Sequence, residues 1–203
     1  MKLYRTLGEI VSKEHTALVV WDAQNGLVNH SFNKEEFLAN TKSLIGTARE
    51  NGIPVFYTKI TPLPAGFESP FRVFMSMKRF GVDDPKKLPP FMRPGSPEAE
   101  IHAELQPRPE DIVLNKHTYS IFTGTHFEAM MRNRGVETLL FTGIATEMGI
   151  DSSARDAVDR SFYTVVVSDC VSSSDKEAHG ASLKNLQKIC LVTPSSEVKG
   201  CWK

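Results

Sequence analysis

Two chemically useful side chains stand where apolar runs of the sequence end. Asp22 follows the run Ala17–Trp21, and Lys116 follows the short run Ile112–Leu114. In a parallel α/β sheet, ligands bind beyond the carboxyl ends of the strands, so an acid and a base are expected to meet there. Each residue has a plainer explanation, because such an Asp often caps a turn and a lone Lys usually lies on the surface. Together they indicate a site for proton transfer.

A third feature is the turn Gly143-Ile-Ala-Thr-Glu-Met-Gly149, which leads from an apolar run into a helix. The N-terminus of a helix attracts anions when a ligand docks there. However, Gly149 in this turn has no side chain, so it cannot supply a nucleophile. Cys170 is the alternative nucleophile, although a small buried hydrophobic role is favoured for it.

The elements that position these residues alternate along the chain. Six apolar runs predict strands at Ala17–Trp21, Pro54–Thr58, Ile112–Leu114, Thr138–Thr142, Tyr163–Ser168 and Ile189–Thr193. Their continuous β-branched character predicts strands that are covered on both faces. Helices are predicted between them, at 33–52, 125–134, 147–159 and after Ser174. This alternation predicts one domain over residues 1–203, a three-layer α/β/α fold with a mainly parallel six-stranded sheet.

Residues 61–97 interrupt the alternation. They contain eight of the twelve prolines and five of the twelve phenylalanines. A connection of this length is unusual unless it has a function. Two interpretations stay open, a lid over an apolar pocket and an oligomer contact.

The bulk properties exclude several classes of function. Lys+Arg and Asp+Glu both number 24, which argues against nucleic-acid and anionic-membrane partners. No apolar run reaches membrane-spanning length, and the first residues do not resemble a signal peptide. The three cysteines form no CxxC pair, so we expect reduced thiols and a cytoplasmic location. The six histidines form no metal-binding motif and no Gly-rich phosphate loop is present, so no metal and no cofactor are expected.

Four motifs, in order, resemble the isochorismatase-like hydrolases, also called the cysteine hydrolase superfamily. They are Ala17-Leu-Val-Val-Trp-Asp-Ala-Gln-Asn25, Lys116-x-x-Tyr-Ser-x-Phe-x-Gly-Thr125, Gly135-Val-Glu-Thr-Leu139, and Gly143-Ile-Ala-Thr146 with Ala154-Arg-Asp-Ala157. The resemblance extends from about residue 17 to residue 194 and leaves out residues 61–97. It implies the same α/β/α fold.

The resemblance also implies a set of site residues. The family's catalytic Asp and Lys correspond to Asp22 and Lys116, and its catalytic Cys corresponds to Gly149. A cis peptide is implied between Ile144 and Ala145, with the Ala145 and Gly149 N–H groups as oxyanion donors. The candidates for the substrate pocket are Gln24, Leu27, Tyr119, Ile144 and Glu147. For Glu147, a helix first-turn position that favours the helix dipole is the preferred explanation.

The isochorismatases themselves resemble this chain in having Gly at the Cys position, where it leaves room for the enolpyruvyl group. Their vinyl ether hydrolysis needs no nucleophile. The resemblance therefore implies a small carboxylate-type substrate, with Asp22 as proton donor and Lys116 as its partner. Lys116 would lower the pKa of Asp22, whereas burial would raise it.

A substrate with two carboxylates would need further cations. The candidates in or beside residues 61–97 are Lys59, Lys78, Arg79 and Arg93, for each of which a surface position is the default. Two alternative functions remain, a silent small-molecule binding protein and an amidase that uses Cys170. A homodimer or homotetramer is also implied by the resemblance.

Overall fold

Six parallel strands form a single sheet in the computed structural model, which describes residues 3–64 and 66–202. The strands are β1 (Thr16–Trp21), β2 (Val55–Ile60), β3 (Ile112–Lys116), β4 (Thr138–Ile144), β5 (Tyr163–Ser172) and β6 (Leu191–Thr193). Their order across the sheet is β3-β2-β1-β4-β5-β6, and every neighbouring pair is parallel. The predicted fold class is confirmed.

Eight helices accompany these strands within the described residues. They are α1 (Leu7–Ile10), α2 (Asn25–Val28), α3 (Lys34–Glu50), α4 (Pro70–Phe80), α5 (Phe127–Asn133), α6 (Asp151–Asp159), α7 (Lys176–Leu186) and α8 (Ser195–Gly200). Short 3₁₀ turns occupy Pro85–Lys87, Pro97–Ala99 and Ala103–Leu105, and a π-helical turn occupies Thr146–Ile150. None of the described helices is long and apolar enough to cross a membrane.

Two apolar layers separate the sheet from its helices. On one face Leu18 and Val20 of β1 pack in a buried cluster with Phe37 and Leu44 of α3. On the other face Ala17, Val19 and Trp21 pack with residues of α5 and α6. Because side chains alternate between faces along a strand, β1 contributes to both layers, and its fully buried position explains its uninterrupted apolar sequence.

The structure corrects several predicted boundaries. Cys170 lies within β5 rather than after it, because a register shift against β4 lets the strand continue past its polar residues. The N-cap of α7 is Asp175, whose carboxylate accepts a hydrogen bond from the Ala178 N–H, rather than Ser174. Asn33 precedes α3 but makes no side-chain cap. The two edge strands β3 and β6 are partly exposed, so the prediction that every strand is covered on both faces was wrong for both of them.

Residues 61–97 contain α4 and lie close to the carboxyl end of the sheet. No side chain of α4 is buried, and five phenylalanines of this segment are more than half exposed, namely Phe67, Phe71, Phe74, Phe80 and Phe91. The end of this segment is bound more firmly, since Met92 is buried, and just beyond it Ile101 forms an antiparallel bridge with Gln24. Both interpretations of the segment stay predictions.

Candidate active site

The strand order changes direction at β1, because β2 and β3 lie on one side of it and β4 to β6 on the other. Such a switch point leaves a crevice beyond the carboxyl ends of the two central strands. Asp22 immediately follows β1, and the turn at Ile144–Ala145 follows β4. The topology therefore places both at the crevice in which α/β proteins bind ligands.

A buried ion pair lies at this position. The Lys116 Nζ donates a hydrogen bond of 2.6 Å to Asp22 Oδ2, and the Thr58 hydroxyl donates one of 2.5 Å to Asp22 Oδ1. Lys116 ends β3 and reaches across β2, which itself supplies Thr58. Asp22 is 4% exposed and Lys116 is 2% exposed. The predicted acid and base are thus in direct contact and shielded from solvent.

Burial dominates the ionisation of this pair. Removal of water raises the pKa of the Asp22 carboxyl above its ordinary value, while the Lys116 charge and the hydrogen bonds from Lys116 and Thr58 oppose the rise. Burial also lowers the pKa of the Lys116 ammonium, against the attraction of Asp22. Both shifts favour a proton on the carboxyl, which is what a group that donates a proton near neutral pH requires.

The backbone at Asp22 is unusual as well. Its φ angle of 41° lies in the left-handed region, which Asp tolerates better than most residues. The Asp22 N–H donates a hydrogen bond of 3.0 Å to the Thr58 hydroxyl, and the Asp22 carbonyl accepts one of 2.7 Å from the Gln24 N–H. Thr58 therefore contacts both the main chain and the carboxylate of Asp22, which fixes the direction of the acid.

The turn after β4 has the predicted cis peptide between Ile144 and Ala145. The chain then forms the π-helical turn Thr146–Ile150 and continues into α6. π-Helical turns are rare and occur frequently at functional sites. Gly149 is buried within this turn, and Ile144 is buried beside it.

The space beside Gly149 is filled by Trp21. A Cβ atom at position 149 would lie 2.1 Å from Trp21 Nε1 and 2.2 Å from Trp21 Cε2, distances at which real Cβ atoms are essentially never found. The indole also contacts Lys116, whose Nζ lies 4.0 Å from the ring centroid. The indole therefore occupies the space that a side chain at position 149 would enter, and the role of this glycine in leaving room for substrate stays a prediction.

The other predicted pocket residues differ in their exposure and in the hydrogen bonds that they already make. Gln24 is fully buried, and its amide donates to the carbonyls of Ile60 and Ala99 and accepts from the Ile60 N–H. Gln24 therefore links β2 to residue 99, and only one lone pair of its amide oxygen is left without a partner. Leu27 is partly buried against the same elements, whereas Tyr119 is 58% exposed. Their contact with a substrate stays a prediction.

Glu147 belongs to a polar cluster on the β5 side of the turn. Its Oε1 accepts a hydrogen bond of 2.8 Å from the Ser173 hydroxyl, and its buried Oε2 has no hydrogen-bond partner. The Thr146 hydroxyl donates to the Ser172 carbonyl at 3.1 Å and lies 2.8 Å from His179 Nδ1. Burial lowers the pKa of the His179 imidazole, with the Glu147 charge opposing it. Glu147 thus points towards Ser173.

Arg72 is a cation near the pair that the sequence did not reveal. The Arg72 guanidinium donates a hydrogen bond of 2.5 Å to the His117 carbonyl and lies 3.4 Å from Glu68. Its positive charge adds to the lowering of the Lys116 pKa. The sequence does not distinguish Arg72 from the other basic residues of residues 61–97. The candidate cations from the sequence included Lys59, which is paired with Glu100 instead.

Cys170 is placed poorly for catalysis. Its side chain is completely buried in the apolar layer that contains α3. Burial, with the nearby Asp169 charge, raises the pKa of the Cys170 thiol well above its ordinary value. A thiol attacks as the thiolate, so this environment makes Cys170 inert. Among the described residues, no group of three His, Cys, Asp or Glu side chains could hold a metal ion.

Comparisons with known proteins agree with this architecture. A family model described as the isochorismatase domain matches residues 16–197. The ureidoacrylate amidohydrolase RutB of Acinetobacter baylyi is 30% identical over 195 residues, which cover 87% of this chain and 79% of that protein. The chain therefore belongs to the isochorismatase family, and it is a hydrolase of that family.

Solved structures support the same assignment. An isochorismatase family protein from Burkholderia thailandensis is 30% identical and superposes with a TM-score of 0.75, over 93% of this chain and 96% of that one. A cysteine hydrolase from Pseudomonas syringae superposes with a TM-score of 0.80 at 20% identity, over 95% of this chain and 94% of that one. The second likeness shows the fold alone.

Proposed function

We propose that this protein hydrolyses a small carboxylate-type substrate without a covalent enzyme intermediate, with Asp22 as the group that transfers the proton. The observation that carries the proposal is the buried Asp22–Lys116 pair beside a turn that has no nucleophile. Removing either charge from such a pair leaves the other buried and unpaired, at a cost of about 3–5 kcal/mol. A pair of this kind is suited to a reaction that moves a proton and forms no bond to the enzyme.

Hydrolysis of a vinyl ether fits these groups best. Asp22 gives its proton to the terminal vinyl carbon, which leaves an oxocarbenium ion at the ether carbon. Water adds to that carbon and returns a proton to Asp22, and the resulting hemiketal separates into a ketone and an alcohol. Lys116 holds the Asp22 carboxylate while it is charged, and burial favours the protonated form that begins the cycle.

Cations near the pair are consistent with an anionic substrate. Lys116 and Arg72 lie close enough for the Arg72 charge to act on the Lys116 pKa. Arg72 is carried by α4, which has no buried side chain of its own. We infer that α4 moves as a lid, because an element with few buried contacts opens at low cost, and that Arg72 binds the substrate carboxylate when the lid closes.

The first test is release of pyruvate from isochorismate, followed with a coupled NADH assay. We expect release by the natural protein and loss of at least about a hundredfold in Asp22→Asn, because general acid catalysis contributes on that order. Asp159→Asn, at an exposed position on α6, is the matched control and should keep full activity. Activity that survives in Asp22→Asn would refute the proposed mechanism.

Hydrolysis of a ureido or carbamoyl amide is the second candidate. The relative from Acinetobacter baylyi is named for action on ureidoacrylate. Here the route would need direct attack by water with Asp22 as general base, since the turn has no nucleophile. Ammonia release from ureido acids, with no pyruvate release from isochorismate, would favour this candidate. Binding of either substrate class without turnover would instead indicate a silent binding protein.

We also propose a homodimer or homotetramer in a reducing, cytoplasmic environment. The exposed phenylalanines of residues 61–97 are the proposed contact, and the three cysteines are unpaired. Large apolar side chains exposed in this number usually mark an interaction site. Light scattering after size-exclusion chromatography should give a mass of two or four chains, and a single-chain mass would reject the assembly.

A further inference from the structure

The packing around Trp21 supports a further inference about the proposed active site. The catalytic meaning of this inference rests on the proposed function. Two glycines enclose this residue from different sides. Gly143 pairs with Trp21 in the sheet, and a Cβ there would lie 2.0 Å from the Trp21 carbonyl oxygen. Gly149 meets the indole in the same way, at 2.1 Å. One glycine thus encloses the main chain of Trp21 and the other its side chain.

Trp21 cannot relieve these contacts easily. Its backbone is held between β2 and β4, and the residue is 1% exposed. The φ angle of Gly143 is 114°, a conformation that residues with a side chain rarely adopt. Position 143 therefore requires glycine both for its backbone conformation and for its close contact with the Trp21 main chain. Only rotation of the indole itself could free space at position 149, and well-packed interiors resist such movement.

We propose that Trp21 is the residue that determines which chemistry this site can perform. Its indole occupies the volume in which any side chain at position 149 would begin, so Trp21 and Gly149 form a size-complementary pair. The same ring lies against the Lys116 ammonium. Trp21 therefore contacts both the turn after β4 and the lysine of the Asp22–Lys116 pair, and it excludes a nucleophile from that turn by volume.

The proposal makes a specific prediction about alanine at position 149. Gly149→Ala should lower Tm by several degrees in the natural protein, because the methyl group meets the indole. In a Trp21→Val background the same alanine should cost nothing or raise Tm, because it enters the space that the indole has left. Valine is chosen because it suits a strand interior. Gly180→Ala is the matched control, since position 180 has open space and should be indifferent to Trp21.

Thiol labelling provides a second, independent measurement. In a chain with Cys170→Ala, Cys190→Ser and Cys201→Ser, Gly149→Cys should either fail to fold or react poorly with iodoacetamide. Adding Trp21→Val should restore folding and increase the alkylation rate at least about tenfold. Gly180→Cys should be labelled equally in both backgrounds.

Two results would overturn the proposal. One is an equal cost of Gly149→Ala with and without the Trp21→Val substitution, which would show that the indole does not set the space. The other is a stable Gly149→Cys protein that is alkylated as fast with the indole present as in the Trp21→Val background. Both measurements report packing and thiol access rather than turnover. If the proposed function is wrong, the results of these two measurements do not change. Failure of the Trp21 proposal can therefore be distinguished from failure of the proposed function.

Discussion

Lys116→Met should make the stability of the protein depend on pH more strongly than that of the natural chain does. Lys116 is the cation at 2.6 Å from a carboxylate that is 4% exposed. Without it, Asp22 keeps only the hydrogen bonds from Thr58 and the main chain nearby. Loss of one partner from a buried pair costs about 3–5 kcal/mol, so the free energy of unfolding should fall by that amount near pH 8.

The sign of the pH dependence follows from the Asp22 pKa. Burial already raises this pKa, and Lys116 is the main influence that lowers it, so the substitution should raise it further. A carboxyl whose pKa is higher in the folded state binds protons there more strongly than in the unfolded chain. Stability is therefore lost as pH rises from the unfolded pKa through the folded pKa. The deficit of the variant should be large near pH 8 and small near pH 5.

Thermal unfolding followed by circular dichroism at both pH values tests this reasoning. A loss of about 3–5 kcal/mol in a chain of this size corresponds to a Tm decrease of about 6–20 °C. Lys188→Met, at an exposed position just after α7, is the matched control and should change Tm little. Asp22→Asn combined with Lys116→Met should remove the pH dependence. A deficit of equal size at both pH values would refute the argument.

Two further predictions concern the rest of the molecule. At about pH 8 a thiol reagent should modify the exposed Cys201 first. The reason is that burial raises the pKa of the Cys190 thiol to about 11 and raises that of the Cys170 thiol further. Early modification of Cys170, detected by peptide mass spectrometry, would contradict its buried position. Arg49→Met should lower the free energy of unfolding, measured by urea titration, by about 3–5 kcal/mol, because it leaves the buried Asp111 carboxylate without its ion-pair partner. A loss below about 1 kcal/mol would contradict this prediction.

The sequence predicted the sheet and the acid–base pair because both depend on local patterns. Apolar runs mark the central strands, and polar residues at their ends must lie at one edge of a parallel sheet. Asp22 and Lys116 were therefore found without knowledge of the strand order. The same reasoning ended β5 too early, at Ser168. A register shift between neighbouring strands lets polar residues continue the ladder, and no feature of the β5 sequence alone reveals it.

The features that were missed depend on contacts between distant parts of the chain. The sequence does not distinguish Trp21 from the other apolar residues of β1, and only the tertiary structure shows that it fills the space beside Gly149. Arg72 is one of several basic residues in residues 61–97, so its approach to the distant His117 could not be inferred. Composition and periodicity describe what an element buries. They do not describe which partner it meets.

The enclosure of Trp21 by two glycines also restricts how this protein can change over generations. A substitution that introduces cysteine at position 149 meets the indole, so it is harmful before it can be useful. A smaller residue at position 21 leaves a cavity while position 149 is still glycine. Either order of change passes through a less stable protein. Descendants of this chain are therefore held to chemistry without a thiol by packing alone, even where selection would reward one.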